Sequence, residues 1–441
     1  MNKIFFFISF FSIIISNFST YGLSSSSYLV ANSAMMLFDY QKAKFYFDIN
    51  DLDDFSHYDL NKKLLAFVNV QDFYSANKVA KKILEIDIND QEAWLTYLVY
   101  AKITNDIKPF KKYENIRNEN PLAIIDFVFY QGLENKKNDK EISESIFDLV
   151  YKSNSEESIS IQNYDYFLFY LSLSLAINNK FDEAYFYTAQ IYQKLKKYEL
   201  AKRYYEEIDQ SHLLFLEGKK NIAQNKQKQK KISEAESDFL ILIENYPDNE
   251  LLLFSFADFY RTSNQYSKAI KYYSIVLNKF NIQEELRWRL LYLRGICYER
   301  INNWDSAEAD FLNSLKINED SPQVLNYLAY GWIEKNMHIK KSLKMLEKAH
   351  KQDPGSYYIL DSLAWAHFKM NNLTLASKLM EQVLTIAPGE AISIDHLGDI
   401  YFAMGRTREA FFLWKQAKDL AEPEDEIIED IIFKMKEYKD G

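Results

Sequence analysis

Small residues fall on two ladders along this chain. One runs Ala223, Ala257, Gly295, Ala329, Ala364 and Gly398; the other runs Ala201, Ala235, Ala269, Ala307, Ser342, Ala376 and Ala410. Subtracting neighbours gives 34, 38, 34, 35 and 34 for the first ladder and 34, 34, 38, 35, 34 and 34 for the second. Both slip by the same four residues after Ala257 and Ala269, which chance composition would not do. A period near 34 with paired small positions belongs to a stack of helix–turn–helix units. The cause is contact distance: antiparallel helices approach closely only where a side chain is Ala, Gly or Ser, and large residues fill the gaps around them. In the last full unit Leu397, Gly398 and Tyr401 share one face of a first helix, and Ala410, Trp414 and Ala417 one face of a second. The unit before it has Leu363, Ala364 and His367, then Ala376, Met380 and Val383, closed by Pro388. Pro247, Pro354, Pro388 and Pro423 all follow a second helix, where a residue that cannot continue a helix is useful.

With that spacing the chain resembles the tetratricopeptide repeat family over nearly everything after the first two dozen residues, most clearly from Ala184 to Pro423. The resemblance implies an all-α fold, a right-handed superhelical solenoid of antiparallel helix pairs in repeats of about 34 residues. The N-terminal units are weaker: Ala31 with Ala43 and Phe47, Leu64 with Ala76 and Ala80, then Trp94, Leu98 and Ala101. Between about Phe110 and Ser160 no register can be placed, and near Ala176–Ala189 half a repeat is missing. There Ala184 reads as a second-helix position and Ala189, five residues on, as a first-helix one. The expected organisation is a leader over 1–22, N-terminal repeats over 23–109, degenerate helical repeats over 110–164, a regular array over 165–423 and a capping helix over 424–441. In that last segment Ile427, Ile428, Ile431, Ile432 and Met435 recur at helical spacing among acidic residues.

The leader is read from Lys3, an apolar stretch from Ile4 to Ile15, and small and polar residues through Ser27, with cleavage after Gly22. It predicts a periplasmic protein with no membrane contact after cleavage; an uncleaved inner-membrane anchor is the alternative. The lone Cys297 lies far from the leader, so there is neither a lipid-attachment cysteine nor an intrachain disulfide. A net charge of −10 argues against nucleic acid as a partner. No HExxH, GxSxG, P-loop or GxGxxG is present, and the six histidines lack ligand spacing, so no enzyme, metal or cofactor is expected. His367 is read as a packed histidine. The acidic run Asp48, Asp51, Asp53 and Asp54 lacks the glycine of a calcium loop, and Lys226, Lys228, Lys230 and Lys231 are read as a solvated turn.

Function should then lie in the concave groove that first helices line in this architecture. The residues three before, one after and four after each small position give Tyr292, Ile296 and Glu299, then Asn326, Tyr330 and Ile333. The next two units give Asp361, Trp365 and Phe368, then Asp395, Asp399 and Phe402. Such a groove is aromatic and acidic, suited to a protein or peptide client with apolar and basic groups. An equally weighted reading has Trp365 and Phe368 merely packing between first helices. The runs NYLAYGWIEKN from Asn326, LDSLAWAHFKM from Leu360 and DHLGDIYFAMGRTREAFFLWKQA from Asp395 look like the C-terminal repeats of proteobacterial envelope members of the family. Among those is the lipoprotein partner of a periplasmic carboxy-terminal processing protease. The similarity implies an exported adaptor that recruits a periplasmic protease or its substrates; a structural part of an envelope export or polysaccharide assembly machine is the alternative.

Overall fold

The computed structural model describes residues 22–49, 51–52, 55–131, 135–151, 163–279, 281–421 and 427–440. The expected leader, apart from Gly22, lies outside them, as do Asp53, Asp54, Pro423 and the start of the expected capping segment. Among the described residues there are 24 helices and one hairpin, Tyr130–Gln131 antiparallel to Asn135–Lys136. No described helix is long and apolar enough to cross a membrane. The chain forms two compact units, Met1–Leu242 and Ile243–Gly441.

The second unit is a run of helix pairs. Its first helices are Glu250–Thr262, Glu284–Arg300, Pro322–Glu334, Tyr357–Lys369 and Ala391–Ala403, each followed by a second helix that packs against it. Ala257, Ala329 and Ala364 on the first helices and Ala269, Ala307, Ser342, Ala376 and Ala410 on the second are fully buried, as contact positions must be. The two glycines of the ladder are tighter still. A Cβ on Gly295 would sit 2.7 Å from the Phe311 ring, and one on Gly398 2.6 Å from Trp414. The shared four-residue slip is one added helical turn: Glu284–Arg300 has 17 residues where its neighbours have 13. The extra turn is at its N-terminus, because Gly295 keeps the same distance from the helix end as Ala329 and Ala364 do.

A third ladder closes each pair. Lys196, Lys230, Asn264, Asn302, Asn336, Asn371 and Gly405 all take positive φ at the turn between first and second helix, spaced by the same 34, 34, 38, 34, 35 and 34. The next residue's N–H donates back over the turn, from Asn303 to the Tyr298 carbonyl at 2.9 Å and from Asn372 to that of His367 at 2.8 Å. This is the left-handed helix stop in which Gly and Asn carry the least strain.

The first unit departs from this regularity. Its early pairs are Gly22–Met36 with Tyr40–Phe47, His57–Asn69 with Phe73–Ile86, and Gln91–Ile103 with the shorter Lys108–Arg117. Then come the seven-residue helix Ala123–Phe129, the hairpin, and Asp139–Tyr151. The next helix, Tyr164–Ile177, turns back and packs on two earlier first helices, His57–Asn69 and Gln91–Ile103. Nine of its 14 residues are buried, from Tyr164 to Leu175, which suits a segment apolar all round. Polar pins fix it: Asn69 Nδ2 donates to the Asp165 carbonyl at 3.2 Å and Tyr170 Oη to Glu92 at 3.1 Å. Ala184 and Ala189 share the single helix Asp182–Lys194, which packs as second helix to Tyr164–Ile177 and as first helix to Tyr198–Glu206.

Candidate binding groove

The first-helix face of the second unit gathers the groove candidates in three lines, set by their offset from the small residue of each repeat. Tyr292, Asn326, Asp361 and Asp395 stand three before it, and Tyr330, Trp365 and Asp399 one after it. In the line four after it, Glu299 is half-buried and Phe402 exposed, at 48%. Ile333 is fully buried in the core with Ala329 and Leu360, so the offset rule does not make it a groove residue. Pro322–Glu334 touches Tyr357–Lys369, which touches Ala391–Ala403, so side chains of these three first helices meet across repeats.

Trp365 is the hub of those meetings. Only 6% exposed, it stacks on Phe368 at 4.7 Å and on His396 at 4.1 Å. Its Nε1 donates to Glu334 Oε1 at 2.6 Å, and Lys369 Nζ lies 4.9 Å from its ring. The indole therefore ties three first helices together and offers a partner little more than an edge. Tyr292 is packed edge-to-face on Tyr327 at 5.5 Å, and burial raises its hydroxyl above the ordinary range. His396, set aside in sequence reading for want of ligand spacing, is thus part of the same face. Its position directly after Asp395 was the available signal.

The polar side chains form a graded series. At the C-terminal end Lys434, on the helix Ile427–Asp440, donates to both oxygens of Asp395 at 3.0 and 2.8 Å and to Asp399 Oδ2 at 2.8 Å. Asp399 Oδ1 also accepts from Trp414 Nε1 at 2.9 Å. That helix covers the last repeat with Ile427, Ile431 and Met435, while Ile432 and Phe433 point to solvent. One repeat earlier, Asp361 Oδ1 pairs with His396 Nδ1 at 3.0 Å, and its Oδ2 is buried with no hydrogen-bond partner. One repeat earlier again, Asn326 Oδ1 is buried and unpartnered.

Negative charge concentrates here. Burial and then Glu334, Asp361, Glu299 and Asp395 raise the Tyr330 hydroxyl above its ordinary value, so four carboxylates act on that group. Burial, then Asp399, raises the carboxyl of Asp395 against the opposing pull of Lys434. Burial alone would lower the pKa of His396, but Asp361, Asp395 and Asp399 together outweigh it and the pKa rises. Other sequence candidates lie apart from this face. Lys226 pairs with Asp238 at 2.7 Å and Lys231 with Glu199 at 3.8 Å. His367 is half-buried with its pKa lowered by burial, and burial pushes the Cys297 thiol up to about 12. Among the described residues no group of side chains could hold a metal ion.

The tetratricopeptide repeat model matches residues 183–212. A TPR repeat-containing protein of Pseudomonas aeruginosa is 28% identical over 110 residues, which is 25% of this chain and 18% of that protein. One of Methanocaldococcus jannaschii is 24% identical over 296 residues, 67% of this chain and 42% of that protein. This chain therefore spans less than half the length of either curated relative. Among solved structures, a tetratricopeptide repeat protein from Parabacteroides merdae aligns with a TM-score of 0.47 at 20% identity over 58% of this chain and 98% of that one. Yeast Tom70 aligns with a TM-score of 0.44 at 15% identity over 94% and 95%.

Proposed function

We propose that this chain, a tetratricopeptide-repeat protein, is a binding scaffold that holds a protein or peptide client on the first-helix face of its second unit. The observation that carries the reading is the contrast between groove walls. In the first unit the chain's own Tyr164–Ile177 helix covers two of the first helices, His57–Asn69 and Gln91–Ile103. In the second, a band from Asn326 to Phe402 combines half-buried aromatics with carboxylates, two acceptors without donors and an exposed phenyl ring. Rigid aromatic anchors beside unsatisfied polar groups are what a peptide partner uses for affinity and register.

The N-terminal charge and apolar stretch support placing this scaffold in the cell envelope, and the C-terminal runs quoted above support recruitment of a periplasmic protease or its substrates. Both are tested directly. N-terminal sequencing of the expressed protein should begin near Leu23; a full-length cytoplasmic product would remove the envelope reading. The immobilised chain should retain a client from envelope extract, and Tyr330→Ala with Phe402→Ala should lose it while the melting temperature stays close to that of the parent. Retention of every client by that folded double variant overturns the groove.

A further inference from the structure

We infer that the groove between the Pro322–Glu334 and Tyr357–Lys369 helices receives a cationic side chain, an arginine or a lysine, carried by the client's peptide segment. The inference rests on the groove reading above and adds the chemistry of the partner. Its basis is the line Asn326, Asp361 and Asp395, three equivalent positions on three successive first helices. At Asp395 the chain supplies the cation itself: Lys434 arrives from Ile427–Asp440, two helices on, and satisfies both oxygens. At Asp361 the next first helix brings only His396, which satisfies Oδ1 and leaves Oδ2 without a donor. At Asn326 the Oδ1 acceptor has no donor at all.

Asp361 and Asn326 are 7% and 6% exposed, so they are more than nine-tenths buried. Leaving such an acceptor unpaired is costly, and more so when it is charged. The hydroxyl of Tyr330, one turn along from Asn326, is raised by burial and then by the charges of Glu334, Asp361 and Glu299. Cations near this wall are already engaged, Arg300 beside Glu299 at 3.6 Å, Lys369 over Trp365, His396 on Asp361 and Lys434 on Asp395 and Asp399, and Asp361 Oδ2 and Asn326 Oδ1 stay without a donor. Two orphan acceptors in an acidic wall call for a multiply donating cation, and a guanidinium or ammonium fits that description. The net charge of −10 would draw a basic segment toward this face.

The test uses the full chain and a fluorescein-labelled dodecapeptide of alternating leucine and arginine, with lysine and glutamine versions as the other arms. Anisotropy titrations at physiological salt should show the arginine or the lysine peptide binding about tenfold or more tighter than the glutamine peptide. Asp361→Asn should weaken the cationic peptides about tenfold. Glu285→Gln, an exposed carboxylate on another helix, should leave them unchanged. Asn326→Asp adds a second carboxylate on the unfilled rung and should tighten them several-fold. That gain decides the matter if Asp361→Asn unfolds. Equal weakening by Asp361→Asn and Glu285→Gln, equal binding of the glutamine peptide, or no gain from Asn326→Asp overturns the inference. A client that is lost with Tyr330→Ala but ignores Asp361→Asn would leave the groove standing and remove only its cation.

Discussion

The two units treat the same surface in opposite ways. In the first, Tyr164–Ile177 lies on the His57–Asn69 and Gln91–Ile103 helices and buries Phe167, Phe169, Leu171 and Leu173, so the face becomes core. In the second, the equivalent face keeps Phe402 in solvent and spends its polar groups on links between neighbouring repeats, Trp365 to Glu334 and Asp361 to His396. The difference is one of composition. A helix reading YDYFLFYLSLSLAI has almost no polar face, and nine of its 14 residues are buried. First helices that place Glu299, Asp399 and Phe402 toward the surface can be left partly wet. A repeat array can thus supply its own occupant over some repeats and leave others free to take one from outside.

The sharpest break of that comparison is Phe169→Ala in the covering helix. The ring is fully buried, and its loss should cost about 3–5 kcal/mol. Urea unfolding should show it together with faster amide exchange in His57–Asn69 and Gln91–Ile103. If the first unit keeps its stability, the covering helix is not core and the two units are alike after all.

Trp365→Ala comes next, at about 3 kcal/mol or more, since a buried indole and its bond to Glu334 both go. This replaces the idea of Trp365 as a free anchor. A folded, fully stable variant that merely lost its client would restore it. Ala376→Leu should then cost about 1–3 kcal/mol by overpacking a helix contact. Exchange should rise only in adjoining repeats, since each repeat couples mainly to its neighbours. A melting curve matching the parent's would mean that the small-residue ladder does not mark helix contacts.

A pH effect follows from His396. Its folded pKa is raised by the carboxylates around it, so its contribution to stability is complete below the unfolded value, about 6.5, and is lost as pH rises through the folded value. Chemical denaturation from pH 6 upward should show stability falling with a slope that His396→Gln removes. A slope unchanged in the variant assigns it elsewhere. The smallest effect is expected at Phe402→Ala, about 0.5 kcal/mol, because the residue is 48% exposed. A large loss would mean that the second unit also buries its groove.

Much of this architecture was legible in the residues. The two small-residue ladders gave the period, the pairing and the register, and even their four-residue slip matches one added turn on Glu284–Arg300. A third signal lay in plain view and went unused: Asn264, Asn302, Asn336, Asn371 and Gly405 sit one period apart because each inter-helix turn needs a left-handed residue. The offsets predicted which side of the first helices Asn326, Tyr330, Asp361 and Asp395 leave from, which is all that a period can give. The groove was not legible in its burial, and Ile333 and Trp365 show why. Offset tells which way a side chain leaves its own helix, whereas exposure depends on how closely the next helix approaches.

The repeat, and with it the all-helical stack, was therefore determined by the sequence alone, because close helix contact at fixed intervals demands small residues and each contact involves only neighbouring elements. Three things were decided by the tertiary structure: that Tyr164–Ile177 turns back onto helices some hundred residues earlier, that Lys434 fills the acidic pair Asp395 and Asp399, and that Asp361 and Asn326 are left with acceptors unpaired. Each depends on which element arrives at a face already formed, and a period in the chain carries no record of arrivals from outside its own repeat.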